Sequence, residues 1–330
     1  MSRQKLSLAC GLYDRTDALR TGDVKVDGID IDFIAISNPR EIFDRMGGKQ
    51  EFDVSEFSSS EFISRLGRGD KTFVALPVFP SRVFRHSGIY VRTDRGIGTA
   101  KDLEGRTVAI PEWAQTAGIY ARGMLKEYYG VDLTSIRWVQ AGVNEPGRVE
   151  KIDLALPESI RYRSRPETSI SAMLANGEVD AAISARTPDV FLDGHPQVAR
   201  LFPNYRAEEL AYYRKTGVFP IMHLIAMRRT VFAQHPWIAM NIVNACEEAK
   251  RRSLARIRAI GIAALPMPWA SGFLEECTET FGPDPFPYGL DANRKTLEAF
   301  CRFAHHQHIT ERPLTPDDLF PPALREVSRS

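Results

Sequence analysis

The chain has 330 residues, 43% of them hydrophobic and 26% charged, and its 43 basic and 42 acidic side chains leave a formal net charge of +1. That length exceeds what a single hydrophobic core usually serves, so two lobes are expected. The balanced charge, with no basic stripe, argues against a nucleic-acid partner, and the apolar run 257–265 is too short to span a bilayer and carries Arg258.

In chain order, Lys5–Cys10 alternates apolar and polar residues and reads as a first strand. Residues 28–36 (GIDIDFIAI) repeat the alternation. Asn38-Pro39-Arg40-Glu41 then opens a helix: Asn38 caps it, Pro39 suits the first helical position, and Glu41 is placed to complete a capping box. Ile42, Phe43 and Met46 form its apolar face. Strands are expected over Phe52–Glu56, Phe73–Val78 and Gly88–Val91, the last two separated by an Arg-rich loop. Polar, glycine-containing residues 93–98 mark a first crossing between lobes. Lys101–Ile110 is a turn leading into a strand, and Thr116 starts a helix with Tyr120, Met124, Leu125 and Tyr128 along one side. Ser169–Ala175 is a short helix ended by Gly177 in a left-handed conformation, and Val179–Ser184 is the strand after it. A second crossing is expected over residues 213–224. The remainder is mainly helical, with Pro236 opening a long helix to about Arg256.

Strands alternating with helices predict an α/β architecture. Two crossings give lobe one as residues 1–94 and 213–330 and lobe two as 95–212, each a mixed sheet flanked by helices, with a cleft between the lobes. The N-terminal charges are not followed by an apolar stretch of signal-peptide length. Cys10, Cys246, Cys277 and Cys301 have no C-x-x-C spacing. Both features read as a cytoplasmic protein with reduced thiols.

The segments 101–110 (KDLEGRTVAI) and 174–182 (LANGEVDAA) resemble units common in type II periplasmic binding proteins. A closer resemblance spans most of the chain. LSLAC at 6–10 with YDRT at 13–16, PVFPSRVFRHSGIYV at 77–91, EPGR at 145–148 and YYRKTGVFPIMH at 212–223 are together similar to the bacterial 4,5-dihydroxyphthalate decarboxylase family. The resemblance implies a carboxy-lyase of phthalate degradation that makes protocatechuate from a small aromatic dicarboxylate. It carries no residue-level assignment, so roles come from chemistry.

Direct loss of CO2 from such a ring leaves an unstable aryl anion. Protonating the carboxylate-bearing carbon, while the para hydroxyl is deprotonated, avoids it. The enzyme then needs an anion clamp, a base near a phenol and an acid near the ring carbon. In principle no organic cofactor is required; a divalent metal that chelates the catechol oxygens is the alternative route. Arginine suits planar carboxylates, and Arg82, Arg85, Arg148 and Arg186 lie at or beside expected strand ends. The bland alternative for each is a solvated surface charge.

His86 and His223 are the acid/base candidates, since imidazole titrates at about 6.5 when unperturbed. The alternative is a hydrogen-bonded hinge or core histidine. Tyr13 and Arg15 follow the first strand, where ligands sit in open α/β sheets. Ser58 and Ser59 either donate to the ligand or cap the next helix. Glu112 and Glu145 are candidate bases, clamp partners or metal ligands, and Trp113 is placed either to stack on a ring or to pack. The run His305-His306-Gln307-His308 reads as a helix surface. Lobe closure is expected to bring Arg82, Arg85 and His86 against Arg148 and Arg186. The rival readings are a non-catalytic solute-binding protein for an aromatic or other small carboxylate, and another enzyme of the same fold acting on a thiamine-precursor-like or menaquinone-pathway substrate. Homo-oligomerisation is left open.

Overall fold

The computed structural model describes residues 3–259 and 267–326, and most of the apolar run 257–265 lies outside them. Among the described residues eleven strands follow in chain order: β1 Gln4–Cys10, β2 Ile29–Ala35, β3 Val54–Ser58, β4 Phe73–Arg82, β5 Ile89–Arg92, β6 Thr107–Ile110, β7 Arg137–Gly142, β8 Arg161–Ser169, β9 Ala181–Ile183, β10 Val198–Arg200 and β11 Ile221–Arg228. They form two mixed sheets flanked by helices, so the chain is α/β. It divides into two compact units. The first is Met1–Arg82, Ile221–Arg294 and Thr315–Ser330; the second is Val83–Pro220 and Lys295–Leu314.

The first unit carries the sheet β2-β1-β3-β11-β4. β1 runs parallel to β2 and β3, whereas β11 runs antiparallel to both β3 and β4. The carboxyl ends of β1, β3 and β4 and the amino end of β11 therefore share one edge. The helix Pro39–Lys49 starts as its sequence dictates. Asn38 accepts from the Arg40 N–H at 3.1 Å, Pro39 fills the first position, and Ile42, Phe43 and Met46 are buried. Burying such a side chain is worth about 1.5–3 kcal/mol. Glu41 pairs with Arg45 one turn on instead of closing a capping box. β4 runs four residues beyond the expected strand, to Arg82, where a loop was expected, because β11 pairs along it as far as Ile221 opposite Arg82.

The second unit carries the sheet β10-β5-β9-β6-β7-β8. β5 lies antiparallel to both β9 and β10. That pairing puts residues 89–92 in the second sheet, so the first division falls at Arg82/Val83 rather than at 93–98. The second falls at Pro220/Ile221 rather than at 212/213, and residues 295–314 join the second unit rather than the first. Ser169 caps the helix Ile170–Asn176 by accepting from the Ala172 N–H at 3.2 Å, and Gly177 ends it with φ 72°. The helix Thr116–Glu127 is buried from Thr116 to Leu125, more than the single apolar side expected. The Phe303 ring on the helix Arg294–His306 explains part of this, for it lies so close to Gly123 that a Cβ there would be 2.3 Å away. Among the described residues no helix is long and apolar enough to cross a membrane.

Candidate active site

Three side chains meet at the shared strand edge of the first unit. Glu56 sits inside β3, whose residues Val54–Phe57 are all buried. His223 is the third residue of β11, opposite Ser58 of β3 and Ser81 of β4. Tyr13 lies just beyond β1, which passes beside β3. Glu56 accepts a hydrogen bond from the Tyr13 hydroxyl at 2.6 Å, and its Oε1 is also 2.6 Å from His223 Nδ1. Its other oxygen accepts the Gly11 N–H at 2.8 Å, with the Cys10 thiol 3.6 Å away. Glycine is required at position 11, since a Cβ there would stand 2.8 Å from the Tyr13 ring and 3.1 Å from Glu56 Oε2. Phe43 meets the His223 ring edge-on, centroids 4.9 Å apart.

A carboxylate in such a place survives only because it is paired. Burial pushes Glu56 up, but His223, the Tyr13 phenol and the Gly11 N–H together hold it below the usual carboxylate range. Glu56 is thus ionised at neutral pH. Burial and the Glu56 charge push the Tyr13 phenol well up, so Tyr13 keeps its proton and donates it. The same two causes, in the same order, raise the Cys10 thiol. An ionised carboxylate at Nδ1 fixes the imidazole as an Nδ1–H donor and turns Nε2 to proton exchange. The arrangement is a carboxylate–imidazole pair able to take up a proton and stabilise the cation that results.

Arg15 stands beside this pair. Its guanidinium lies 4.5 Å over the Tyr13 ring and 4.7 Å over the Phe286 ring, and it donates to the Pro80 carbonyl. Its Nε is buried without a hydrogen-bond partner. Arg82 is buried and donates to the Asn293 side chain at 2.7 Å. The Pro80 carbonyl and the Asn293 side chain are both neutral acceptors. Ser58 caps the helix Ser59–Gly67, accepting the Glu61 N–H at 3.5 Å and sharing a hydrogen bond with Ser60 at 3.0 Å. Ser59 is buried with no hydrogen-bond partner for its hydroxyl among the described residues.

The remaining candidates lie in the second unit. Arg85 and His86, expected in lobe one, belong there with Arg148 and Arg186. His86 does not face an opening: it is fully buried among Tyr129, Phe202 and Tyr212, and burial pulls it down to about 4. Neither ring nitrogen is hydrogen bonded among the described residues, and the nearest carboxylate, Glu209, is 4.0 Å from Nδ1. Burial lowers Arg85 to about 10 against the opposing Glu209 charge. Arg148 Nε donates to buried Glu112 at 2.9 Å, which commits both residues to each other. Glu145 and Arg186 are exposed. Trp113 packs between Trp138 and Tyr162, with the buried Arg122 guanidinium 4.0 Å from its ring, so it is a packing residue. Among the described residues no group of three or more His, Cys, Asp or Glu is arranged to hold a metal ion.

Sequence reasoning named Tyr13, Arg15, Ser58 and His223 separately, without grouping them, and missed Glu56. No sequence signal set it apart, because the burial of Val54–Phe57 around it is seen only in the structure.

A 4,5-dihydroxyphthalate decarboxylase of Comamonas testosteroni is 38% identical over 327 residues, which is 99% of each chain. One of Pseudomonas putida is 40% identical over 215 residues, 65% of this chain and 83% of that one. No family model matches. Among solved structures, the aliphatic sulphonate binding protein SsuA of Escherichia coli aligns with a TM-score of 0.55 at 13% identity, over 98% of this chain and 99% of its own. The alkanesulfonate-binding protein SsuA of Xanthomonas axonopodis aligns with a TM-score of 0.52 at 11% identity, over 97% and 99%. At such identities these two speak to fold alone, a periplasmic-binding-protein-like one. The Comamonas relative speaks to kinship, since the match runs the length of both chains: this chain belongs to the 4,5-dihydroxyphthalate decarboxylase family.

Proposed function

We propose that the chain is a carboxy-lyase that releases CO2 from 4,5-dihydroxyphthalate and leaves protocatechuate, with His223 taking up and returning the phenol proton. The observation that carries this reading is the buried Glu56 carboxylate hydrogen bonded to His223 and Tyr13. It gains weight in a chain 38% identical throughout to a protein of that name.

The chemistry balances with these groups and one further acid, which supplies the proton that ends on carbon. His223 Nε2 accepts the proton of the hydroxyl para to the departing carboxylate, and Glu56 stabilises the imidazolium. The phenolate pushes its electron pair toward the carboxylate-bearing carbon, which takes a proton from a second acid. The carbon–carboxylate bond then breaks, its electron pair restores the aromatic phenolate, and CO2 leaves. His223 returns its proton to the phenolate. One proton is consumed, on carbon. Arg15, a cation with no carboxylate partner among the described residues, supports recognition of the carboxylate that stays. In this reading no organic cofactor takes part, and a divalent metal on the catechol oxygens is the competing way to ionise the phenol.

The test is to incubate the purified protein with 4,5-dihydroxyphthalate, with chelator and separately with magnesium or manganese, and to measure CO2 and protocatechuate. Equimolar release of both is expected. Tight binding without turnover in every arm would show a binding protein instead.

A further inference from the structure

We infer that the second unit holds a separate small-molecule site for a planar aromatic monocarboxylate, in a pocket none of whose residues belongs to the Glu56–His223 cluster. The pocket has a volume of about 340 Å³, room for one substituted ring and at the lower end for small-molecule sites. Its walls are the last turns of the helices Thr116–Glu127 and Tyr205–Thr216 and one side of the helix Arg294–His306. Buried Met124, Val218 and Phe303 make an apolar floor.

Charge decides the class of ligand. Arg302 and Glu127 cancel, being closed on each other by two bonds of 2.8 and 2.7 Å. Lys215 and Lys295 remain, against Glu298 alone, leaving one positive charge in the lining. Neither lysine has an ion-pair partner among the described residues. Both are held toward the pocket by packing. Lys215 Nζ lies 5.0 Å from the Tyr128 ring centre, in the last turn of a helix whose dipole favours a cation there. The Lys295 stem lies against Gly217, where a Cβ would come within 3.1 Å of its Cδ. Gly217 also has φ 68°, so glycine is favoured there on two independent grounds. A carboxylate between the two ammonium groups meets the unbalanced charge, and a ring on the floor meets Tyr128, Tyr212 and Phe303. A dianion is one charge too many, and a neutral ring leaves the lysines unanswered. The inference does not depend on the reaction proposed above, although protocatechuate falls in the same ligand class.

The experiment is a titration of the full-length protein with para-fluorobenzoate followed by fluorine NMR. The matching amide is the neutral twin, and Arg15→Ala controls for the first-unit site. Saturable binding is expected in the parent and in Arg15→Ala, weakened at least about tenfold in Lys215→Glu and in Lys295→Glu. The amide should not saturate. Both lysines are exposed, so the reversals should fold, and Lys295→Met gives a milder loss in the same direction should a reversal prove unstable. The inference is overturned by binding that survives the lysine changes, by an amide as tight as the acid, by loss in Arg15→Ala, or by no saturable binding.

Discussion

Replacing Glu56 by Gln should slow turnover without greatly weakening substrate binding. The substitution keeps the shape and one acceptor oxygen but removes the charge, and its amide NH2 meets one of the three donors that now converge from Tyr13, His223 and Gly11. Hydrogen bonds to a charged group are worth about 1.5–3 kcal/mol. The Tyr13 and Gly11 bonds are alike in ground and transition states, so their loss appears in stability and cancels from kcat. In the proposed mechanism the His223 bond differs, because there the imidazole takes up the phenol proton during reaction. Losing its charged partner should therefore lower kcat roughly 10- to 150-fold. Steady-state protocatechuate formation gives kcat and KM, and Glu56→Asp, which retains the charge, should keep more activity than the Gln variant. Stability should move as well. The Glu56 pKa lies below the ordinary 4.5, so its contribution is present above that pH and is lost as pH falls through the folded value. The Gln variant should be less stable than the parent at neutral pH, with the gap closing in acid. A Gln variant with parental kcat and a raised KM would remove Glu56 from proton transfer and make it a packing residue.

Two further outcomes follow. Arg15→Ala should raise KM by about tenfold or more with a smaller change in kcat, and lysine should restore only part, because it lacks the planar fork that stacks between Tyr13 and Phe286; unchanged kinetics would place Arg15 outside the substrate site. His86→Phe should flatten the acid limb of stability. Burial holds His86 at about 4 against an ordinary 6.5, so the unfolded chain binds the extra proton and the parent gains up to about 3 kcal/mol as pH rises between those values. Denaturant unfolding from pH 4 to 7 measures this, and an equal slope in the Phe variant would show that His86 is not the group responsible.

Local features were legible wherever the chemistry was local. Asn38-Pro39 starts a helix because a side-chain oxygen and a fixed φ act within one turn, and Gly177 ends one because φ 72° excludes most other residues. Tyr13 and Arg15 were within reach because the end of the first strand can be read from alternation, and His223 because it falls in the expected return crossing. What escaped was set by distant chain. β4 reaches Arg82 only because β11 pairs with it, and β5 falls in the second unit only because β9 and β10 do. The motif around Arg82, Arg85 and His86 looked like one site, yet the division runs through it and the histidine is sealed among aromatic rings. Glu56 was hidden by its own strand, since no local rule tells a buried, paired carboxylate from a solvated one.

The position of β11 has a consequence for synthesis. It lies between β3 and β4, yet it is made after the first 220 residues. Until β11 is made, β3 and β4 lack the partner that joins them, and Glu56 lacks the imidazole of His223. The first sheet and the Glu56–His223 pair are thus completed by the same late event, the insertion of a single strand. A chain released before β11 is complete leaves β3 and β4 without that partner, and unpaired strand edges invite pairing with other chains.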